Sequence, residues 1–288
     1  MFRGTFTAII TPFTATGDVD YDCLRVLVAK QIDGGVEGIV PVGTTGESPT
    51  LDHREHIKVI ETVTEAAAGK VKILAGTGAN STTEALDLTR EAKALGVDGT
   101  LQVTPYYNKP SQEGLYRHFS AVADLGLPVV LYNVPGRCGR EIALETVARL
   151  SRHPSIVAIK EAAGDANRVS AIHALCDLDV LCGDDSLTLP MISTGAVGVI
   201  SVASNIIPRA VSDMTRLALS GDFTKARALH KKYTPLFRDL FIDTNPVPVK
   251  YAAARLGLCP ETYRLPLCEL SAAHKATLDA TLKAINLL

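Results

Sequence analysis

Eight short apolar runs, each rich in β-branched residues, are the feature that most limits what this chain can fold into. They cover residues 5–10, 37–42, 71–75, 99–104, 128–133, 156–160, 180–182 and 197–202. Their hydrophobicity is continuous, whereas a strand with one face in water alternates apolar and polar residues. The runs therefore predict the strands of a parallel sheet that is buried on both faces.

Helical patterns of apolar residues separate these runs. They cover residues 21–33, 52–67, 81–95, 111–125, 144–151, 166–176, 186–194 and 208–219. Such strand–helix alternation within residues 1–220 favours a (β/α)8 TIM barrel over an open doubly wound sheet. Asn80 or Ser81 is the expected N-cap of the third helix, with Glu84 completing a capping box.

The last part of the chain, residues 221–288, shows helical patterns without strands. These patterns cover residues 222–234, 236–243, 248–256 and 270–285. We expect this segment to form a C-terminal helical extension packed on the barrel. Within it, the proline-rich segment 245–250 indicates a rigid turn into a helix, for which a structural role is favoured over catalysis.

Charge and composition argue against several classes of protein. The net charge of −2 provides no basic surface for nucleic acid and no polybasic patch for a membrane. Residues 1–13 lack the pattern of a secretory signal, and no apolar run reaches the ~18 residues of a membrane helix. The six cysteines are scattered without the spacing of a metal site, which suits a reducing compartment. We therefore expect a soluble cytoplasmic protein.

The polar residues most unusual in such a pattern come directly after the apolar runs. They include Thr11, Thr44, Thr45, Thr77, Thr104, Tyr106, Tyr107, Tyr132, Asn133, Lys160, Glu161, Asp184, Asp185 and Ser201. In a TIM barrel the carboxyl ends of all strands meet on one rim, where the active site forms. The sequence thus predicts a site built from several strand ends.

Lys160 ends the sixth run and has two readings. Its amine could extend into solvent from a strand end, or it could act as a Schiff-base nucleophile. A lysine amine in water is almost wholly protonated near neutral pH, so the second role requires burial in the barrel mouth. Tyr132, which ends the neighbouring run, could carry protons. The presence of both residues and of threonines on one rim favours the nucleophile.

The loop that contains Thr44 and Thr45 has glycines on both sides, which frees backbone amides to bind an anion. It lacks the lysine of a phosphate-binding loop and the spacing of a dinucleotide site. A small carboxylate, held by the two hydroxyls and the loop amides, is the better fit. A plain turn between strand and helix is the alternative.

Three other features can each be interpreted as purely structural or as functional. Arg137 either points into solvent or binds a second carboxylate through a bidentate pair of hydrogen bonds from its guanidinium. Tyr106 and Tyr107 could be an aromatic plug. His53 and His56, three residues apart and without a third ligand, are expected on a solvated helix face rather than at a metal.

Glu161, Asp184 and Asp185 raise the question of a pair of acid–base carboxylates, as in glycosidases. That reading is disfavoured, because Lys160 and Tyr132 already supply an acid and a base. No metal site is predicted.

Three segments together resemble the signatures of the dihydrodipicolinate synthase and N-acetylneuraminate lyase superfamily. They are Val42-Gly43-Thr44-Thr45-Gly46-Glu47, Tyr132-Asn133-Val134-Pro135 and Ile159-Lys160-Glu161. The resemblance extends from Gly4 to the C-terminal helices. Residues 104–110 and Arg137 are similar to the synthase branch, since the sugar-acid lyases usually lack that arginine.

The resemblance implies a role for each rim residue. Lys160 would form an imine with pyruvate, and Thr45 with the loop amides would hold the pyruvate carboxylate. Tyr132 would shuttle protons, and Thr44 would link it by hydrogen bonds to Tyr107. In the family that last tyrosine comes from a neighbouring subunit, so a homotetramer built as a dimer of dimers is implied.

The resemblance also implies how the second substrate binds and what the reaction is. Arg137 would bind the carboxylate of L-aspartate 4-semialdehyde, and Gly183 and Ile200 would line the pyruvate pocket through backbone groups. The implied activity is an aldol-type condensation of the two substrates, a step of the diaminopimelate route to lysine. It needs no metal or organic cofactor, because the imine activates the substrate.

Some members of the superfamily are inhibited by L-lysine at a dimer interface. The matching positions here are Ser48, His53, His56, Gly78, Asn80, Glu84 and Tyr106. Glu84 could meet an ammonium group. Pro49 departs from the small residue common after the serine and lacks a backbone donor. Lysine inhibition is still expected, because the charged partner is present.

Two rival functions stay open on the sequence alone. One is a lyase of the same fold that cleaves N-acetylneuraminate or a keto-deoxy sugar acid, against which Arg137 argues. The other is a non-catalytic barrel that only binds a ligand, against which the joint presence of Lys160, Thr44, Tyr107 and Tyr132 argues.

Overall fold

The computed structural model describes residues 1–288 and contains a closed barrel of parallel strands. The strands follow one another around the barrel in chain order, and β8 pairs with β1. They are β1 Gly4–Ala8, β2 Gly38–Val40, β3 Lys72–Gly76, β4 Gly99–Val103, β5 Val129–Asn133, β6 Ile156–Glu161, β7 Asp179–Cys182 and β8 Gly198–Ser201. Each lies within two residues of a predicted run. The predicted (β/α)8 barrel is confirmed.

The helices surround this barrel and cover its outer face. They are α1 Tyr21–Asp33, α2 His53–Ala67, α3 Thr82–Ala94, α4 Gln112–Ala123, α5 Pro135–Cys138, α6 Leu144–Leu150, α7 Asn167–His173, α8 Thr188–Ser193, α9 Pro208–Leu219, α10 Phe223–Asp239, α11 Val247–Arg255 and α12 Ala272–Ala284. The short helix α5, directly after β5, was not predicted, because four residues are too few to show a helical period.

Two local predictions are wrong. The predicted helix break near Pro235 does not exist, since α10 continues through that proline. Leu236 and Phe237, directly after it, are buried in the core, and this packing outweighs the loss of one backbone hydrogen bond. Ser81 is the N-cap of α3 but makes no capping hydrogen bond. Glu84 completes no capping box there and instead lines a cavity described below.

Residues 221–288 contain α10, α11 and α12 and no strand. Leu236 of α10 and Leu278 of α12 belong to the same apolar cluster as Val59 and Ile172 of the barrel helices. We propose that residue 220 marks the end of the barrel and residue 221 the start of the helical extension. The barrel helices and the extension share one apolar core. No helix is both long and apolar enough to cross a membrane.

The barrel interior has its own apolar cluster, which includes Phe6, Leu74, Val130, Ala158 and Leu181. Because side chains alternate along a strand, the residues two positions further towards the carboxyl end also point inward. On β5 and β6 those positions are Tyr132 and Lys160. The packed interior therefore presents these two side chains at the rim.

Candidate active site

Lys160 and Tyr132 lie side by side in the mouth of the barrel. The two residues are register partners on the adjacent strands β6 and β5. The Nζ atom of Lys160 lies 4.1 Å from the centre of the Tyr132 ring, and each residue is 6% exposed. A lysine that reached for solvent would be far more exposed, so that reading is wrong. Burial of the amine is the setting that an imine-forming lysine requires.

The threonine loop that follows β2 is a tight turn with unusual backbone angles at both ends. Val42 has φ 53° and Glu47 has φ 55°, a left-handed conformation that is costly for a β-branched residue such as Val42. A Cβ atom on Gly46 would lie 3.0 Å from the backbone of Val42, a contact that would require the loop to shift by a few tenths of an ångström. The Thr11 hydroxyl donates to the Gly46 carbonyl at 2.7 Å. The loop is therefore held in one shape.

Thr44 and Thr45 differ in their surroundings. Thr44 is half-buried, whereas Thr45 is 3% exposed and its Oγ1 accepts from Nδ2 of Asn245 at 3.0 Å. Sequence reasoning did not place Asn245 at the site. The two residues are 200 positions apart, and only the return of the C-terminal segment to the barrel mouth brings them together.

Gly183 borders the lysine, and Ile200 lies in the barrel interior near it in the fold. Gly183 follows β7, and a Cβ atom there would lie 2.6 Å from Cβ of Ala162 and 3.0 Å from Cε of Lys160. Only glycine therefore leaves the lysine its room. Ile200 on β8 is fully buried in the interior cluster that also contains Tyr132.

Arg137 lies in α5, and its Nη2 atom donates to the carbonyl of Asn245 at 3.1 Å. Arg137 and Thr45 thus both contact Asn245. Tyr107 behaves differently, since it is 91% exposed and holds φ 73°. In a single chain its side chain stands in solvent, outside the cluster around Lys160.

The acidic residues of the rim already have partners. Nε of Arg168 donates to Glu161 at 2.8 Å, and Asn133 donates to both of its oxygens. Burial raises the pKa of Glu161, while Arg168 opposes the shift. Asp185 accepts from the Ser201 hydroxyl at 2.5 Å, and burial raises its pKa to about 6. These carboxylates support the rim, and a glycosidase-like pair is not supported.

A cavity lies beyond the threonine loop, between α2 and α3. It has a volume of about 60 Å³. Its lining includes Ser48, Pro49, His53, His56, Gly78, Glu84 and Tyr106. Asn80 lies next to it, since its Nδ2 atom donates to the Tyr106 carbonyl at 3.2 Å. The structure therefore brings the seven residues that match the lysine-binding positions into one neighbourhood.

The two histidines of this cavity differ from each other, since His53 is exposed, as expected, and His56 is buried. Nε2 of His53 lies 2.6 Å from Oε1 of Glu91, a partner that the sequence did not reveal. His56 is 7% exposed, and its Nε2 atom bonds to the Gly76 carbonyl at 2.7 Å. Burial lowers the pKa of His56 to about 4, so this ring is neutral near pH 7. The prediction of a solvated face is wrong for His56.

Comparison with known proteins accounts for this arrangement. The model of the dihydrodipicolinate synthetase family matches residues 1–285. The chain belongs to this family. A 4-hydroxy-tetrahydrodipicolinate synthase of Pelobacter propionicus is 53% identical over the full length of both chains. The predicted enzyme class, a lyase of the synthase branch, is confirmed.

Two solved structures of the family extend the comparison to bound ligands. The chloride-inhibited dihydrodipicolinate synthase of Acinetobacter baumannii, complexed with pyruvate, is 44% identical with a TM-score of 0.98 and full coverage of both chains. The enzyme of Cyanidioschyzon merolae, with lysine bound, is 41% identical with a TM-score of 0.96; the match covers 100% of this chain and 99% of that one. Family members of the same fold thus bind the two ligands expected here.

Proposed function

We propose that this protein is a 4-hydroxy-tetrahydrodipicolinate synthase that condenses pyruvate with L-aspartate 4-semialdehyde through an imine on Lys160. The observation that carries the proposal is the amine of Lys160, buried in the barrel mouth 4.1 Å from the ring of Tyr132. Two relatives that are each 53% identical to it are named as this synthase. We expect such a biosynthetic enzyme in the cytoplasm.

The first half of the reaction activates pyruvate. Neutral Lys160 attacks the ketone carbon, water leaves, and an iminium forms that draws electrons from the methyl group. The methyl group then loses a proton to the Tyr132 oxygen, which passes its own hydroxyl proton on towards Thr44, and an enamine results. Thr45 and the loop amides hold the pyruvate carboxylate meanwhile, and Gly183 leaves room for the adduct.

The second half joins the two substrates. The enamine carbon attacks the aldehyde carbon of the semialdehyde, whose carboxylate is bound by Arg137. The amine of that substrate then attacks the imine carbon, closes the ring and releases Lys160. Every electron pair comes from the substrates or from Lys160, so the sequence of steps requires no metal or organic cofactor.

Trapping with borohydride tests the imine. Incubation with pyruvate and borohydride, followed by peptide mass spectrometry, should show a reduced pyruvate adduct on Lys160. Lys160→Arg keeps the charge and should give no adduct, whereas Lys225→Arg on the exposed part of α10 should trap as the parent does. An adduct on another lysine, or on none, overturns the proposed function. A coupled assay with both substrates then measures the condensation itself.

We propose further that L-lysine inhibits the enzyme by binding in the cavity between α2 and α3. Glu84 would pair with an ammonium group, and Asn80 and Tyr106 with the carboxylate. Pro49 lines the same cavity and lacks the backbone donor that a small residue would provide there. Because the acidic partner is present, we expect inhibition to persist.

The assembly that fits this function is a homotetramer arranged as a dimer of dimers. Tyr107 supports it, because an aromatic residue that is 91% exposed with φ 73° is costly unless a partner surface holds it. In the assembly its hydroxyl would complete the proton relay with Thr44 and Tyr132 of a neighbouring subunit. Sedimentation of the parent and of Tyr107→Phe measures the mass, and a monomeric, fully active parent contradicts it.

A further inference from the structure

A fully buried ion pair joins the threonine loop to the C-terminal extension. Nζ of Lys250, on α11, lies 2.5 Å from Oε1 of Glu47, and both side chains are 0% exposed. The Lys250 amine also lies 4.1 Å from the centre of the Phe13 ring. Glu47 is the residue directly after Gly46, so the pair fixes the end of the loop that carries Thr44 and Thr45.

The backbone at Glu47 shows why the loop needs such a partner. Glu47 holds φ 55°, a conformation that costs free energy for a residue with a Cβ atom and persists only where surrounding contacts impose it. Its amide donates to the Thr44 carbonyl at 3.1 Å. If Glu47 relaxed to an extended conformation, the turn that aligns the loop amides and the Thr45 hydroxyl would open.

A second contact from the same segment acts on the same loop. Asn245, five residues before Lys250, donates from Nδ2 to the Thr45 hydroxyl at 3.0 Å. Asn245 is 6% exposed. The segment 245–250, whose role the sequence left as a structural turn, therefore reaches the loop at Thr45 and again at Glu47.

We infer that Lys250 is a positioning residue for pyruvate: through Glu47 it holds the threonine loop in the turn that binds the pyruvate carboxylate. Lys250 does not touch the reacting atoms. This inference rests on the proposed function, since it assumes that the loop binds pyruvate. It assigns to the C-terminal extension an indirect part in the site of the first substrate, through Glu47.

The alternative is that the pair only stabilises the fold, but buried ion pairs are poorly suited to that. The desolvation of both charges offsets most of their attraction, so replacing both by apolar residues of similar size is often neutral or stabilising. Removal of one partner leaves a buried charge alone and is destabilising. A double substitution therefore separates the two roles, because it removes the tether without leaving an orphaned charge.

The test is the double variant Glu47→Met with Lys250→Met, measured as the full chain. Its melting temperature should equal or exceed that of the parent. The pyruvate concentration that half-saturates borohydride trapping, and the KM for pyruvate, should both rise about tenfold or more, as expected when a charge-assisted contact is lost. The kcat at saturating pyruvate and the KM for the semialdehyde should stay within about twofold.

A second ion pair between extension and barrel provides the matched control. Arg264 binds Glu55 through two contacts of 2.6 Å, outside the threonine loop. Glu55→Gln weakens that pair and should leave the half-saturation for pyruvate unchanged. If Glu55→Gln raises the half-saturating pyruvate concentration as much as the double variant does, any weakening of the contact between extension and barrel impairs pyruvate binding. That result overturns the inference.

The outcomes also separate this inference from the proposed function. If the parent gives no pyruvate adduct, the proposed function fails. If the parent is trapped and the folded double variant is half-saturated at the same pyruvate concentration, only the inference about Lys250 fails. If the double variant does not fold, two single variants replace it. Lys250→Arg keeps the charge and must half-saturate trapping at a pyruvate concentration within about twofold of the parent, whereas Glu47→Gln must raise that concentration about tenfold. Any other result overturns the inference.

Discussion

The amine of Lys160 lies over the ring of Tyr132, 4.1 Å from its centre. The two residues are register partners on the adjacent strands β6 and β5. Neighbouring strands in a sheet are about 4.8 Å apart, so this register places the side chains of Lys160 and Tyr132 next to each other. Strand pairing, rather than a flexible loop, therefore sets the relative position of these two side chains.

Tyr132→Phe should lower kcat by about a hundredfold, because general acid–base transfer by a placed side chain contributes on that order. The ring stays, so packing beside Lys160 and the melting temperature should be unchanged. Steady-state kinetics with both substrates measure the effect, and Tyr233→Phe on α10 is the control. A kcat for Tyr132→Phe equal to that of the parent excludes Tyr132 as the proton carrier.

Arg137→Ala should raise the KM for the semialdehyde by about tenfold to a hundredfold, the loss expected for a hydrogen bond to a charged group. Pyruvate trapping on Lys160 should remain intact, because Arg137 contacts the Asn245 carbonyl rather than the lysine. Arg117→Ala, on the exposed face of α4, should change neither. If trapping fell as much as semialdehyde use, Arg137 would be part of the pyruvate site instead.

Gly183→Ala should reduce the rate of pyruvate trapping. The new Cβ atom would lie 3.0 Å from Cε of Lys160 and 2.6 Å from Cβ of Ala162, so the lysine side chain must shift. Such overpacking costs about 1–3 kcal/mol, and part of it should appear as a lower melting temperature. Gly136→Ala, where the added atom meets nothing within 4 Å, is the matched control. Unchanged trapping in Gly183→Ala shows that the adduct forms on another side of Lys160.

Glu84→Ala should abolish inhibition by L-lysine while most of the catalytic rate remains. The carboxylate lines the cavity between α2 and α3 and is the acid placed to meet an ammonium group there. Asp87→Ala, on the same helix but paired with Arg90, should leave inhibition as in the parent. Dose–response curves with L-lysine give the answer. A parent that stays fully active in millimolar L-lysine rules out the regulatory site.

Stability should fall as the pH drops from about 6.5 towards 4, with buried histidines as one cause. Burial lowers the pKa of His118 to about 4, and its Nε2 atom has no hydrogen-bond partner. His118 in the unfolded chain therefore binds a proton below about pH 6.5, whereas His118 in the folded chain binds it only below about pH 4. A shift of this size corresponds to about 3 kcal/mol.

Unfolding in denaturant at a series of pH values measures this loss. His118→Gln should flatten the dependence between pH 6.5 and 4, whereas His274→Gln, on an exposed face, should not. An unchanged slope in His118→Gln places the acid sensitivity elsewhere.

The barrel was predictable because each strand and helix carries its own local signal. Continuous apolar runs, such as those that end at Tyr132 and Lys160, need only a short stretch of chain to be recognised. Strand ends on one rim then bring the threonine loop and the lysine together without further information. The order of residues along the chain therefore determined the fold and the strand ends that carry Tyr132 and Lys160.

Only the tertiary structure decided the partners of those residues. Asn245 and Lys250 meet the threonine loop across 200 and 203 positions, and contacts at such separations leave no periodic pattern in a single sequence. The uninterrupted helix at Pro235 and the pairing of His53 with Glu91 were hidden for the same reason. In each case, packing between distant elements outweighs the local preference that sequence reasoning can detect.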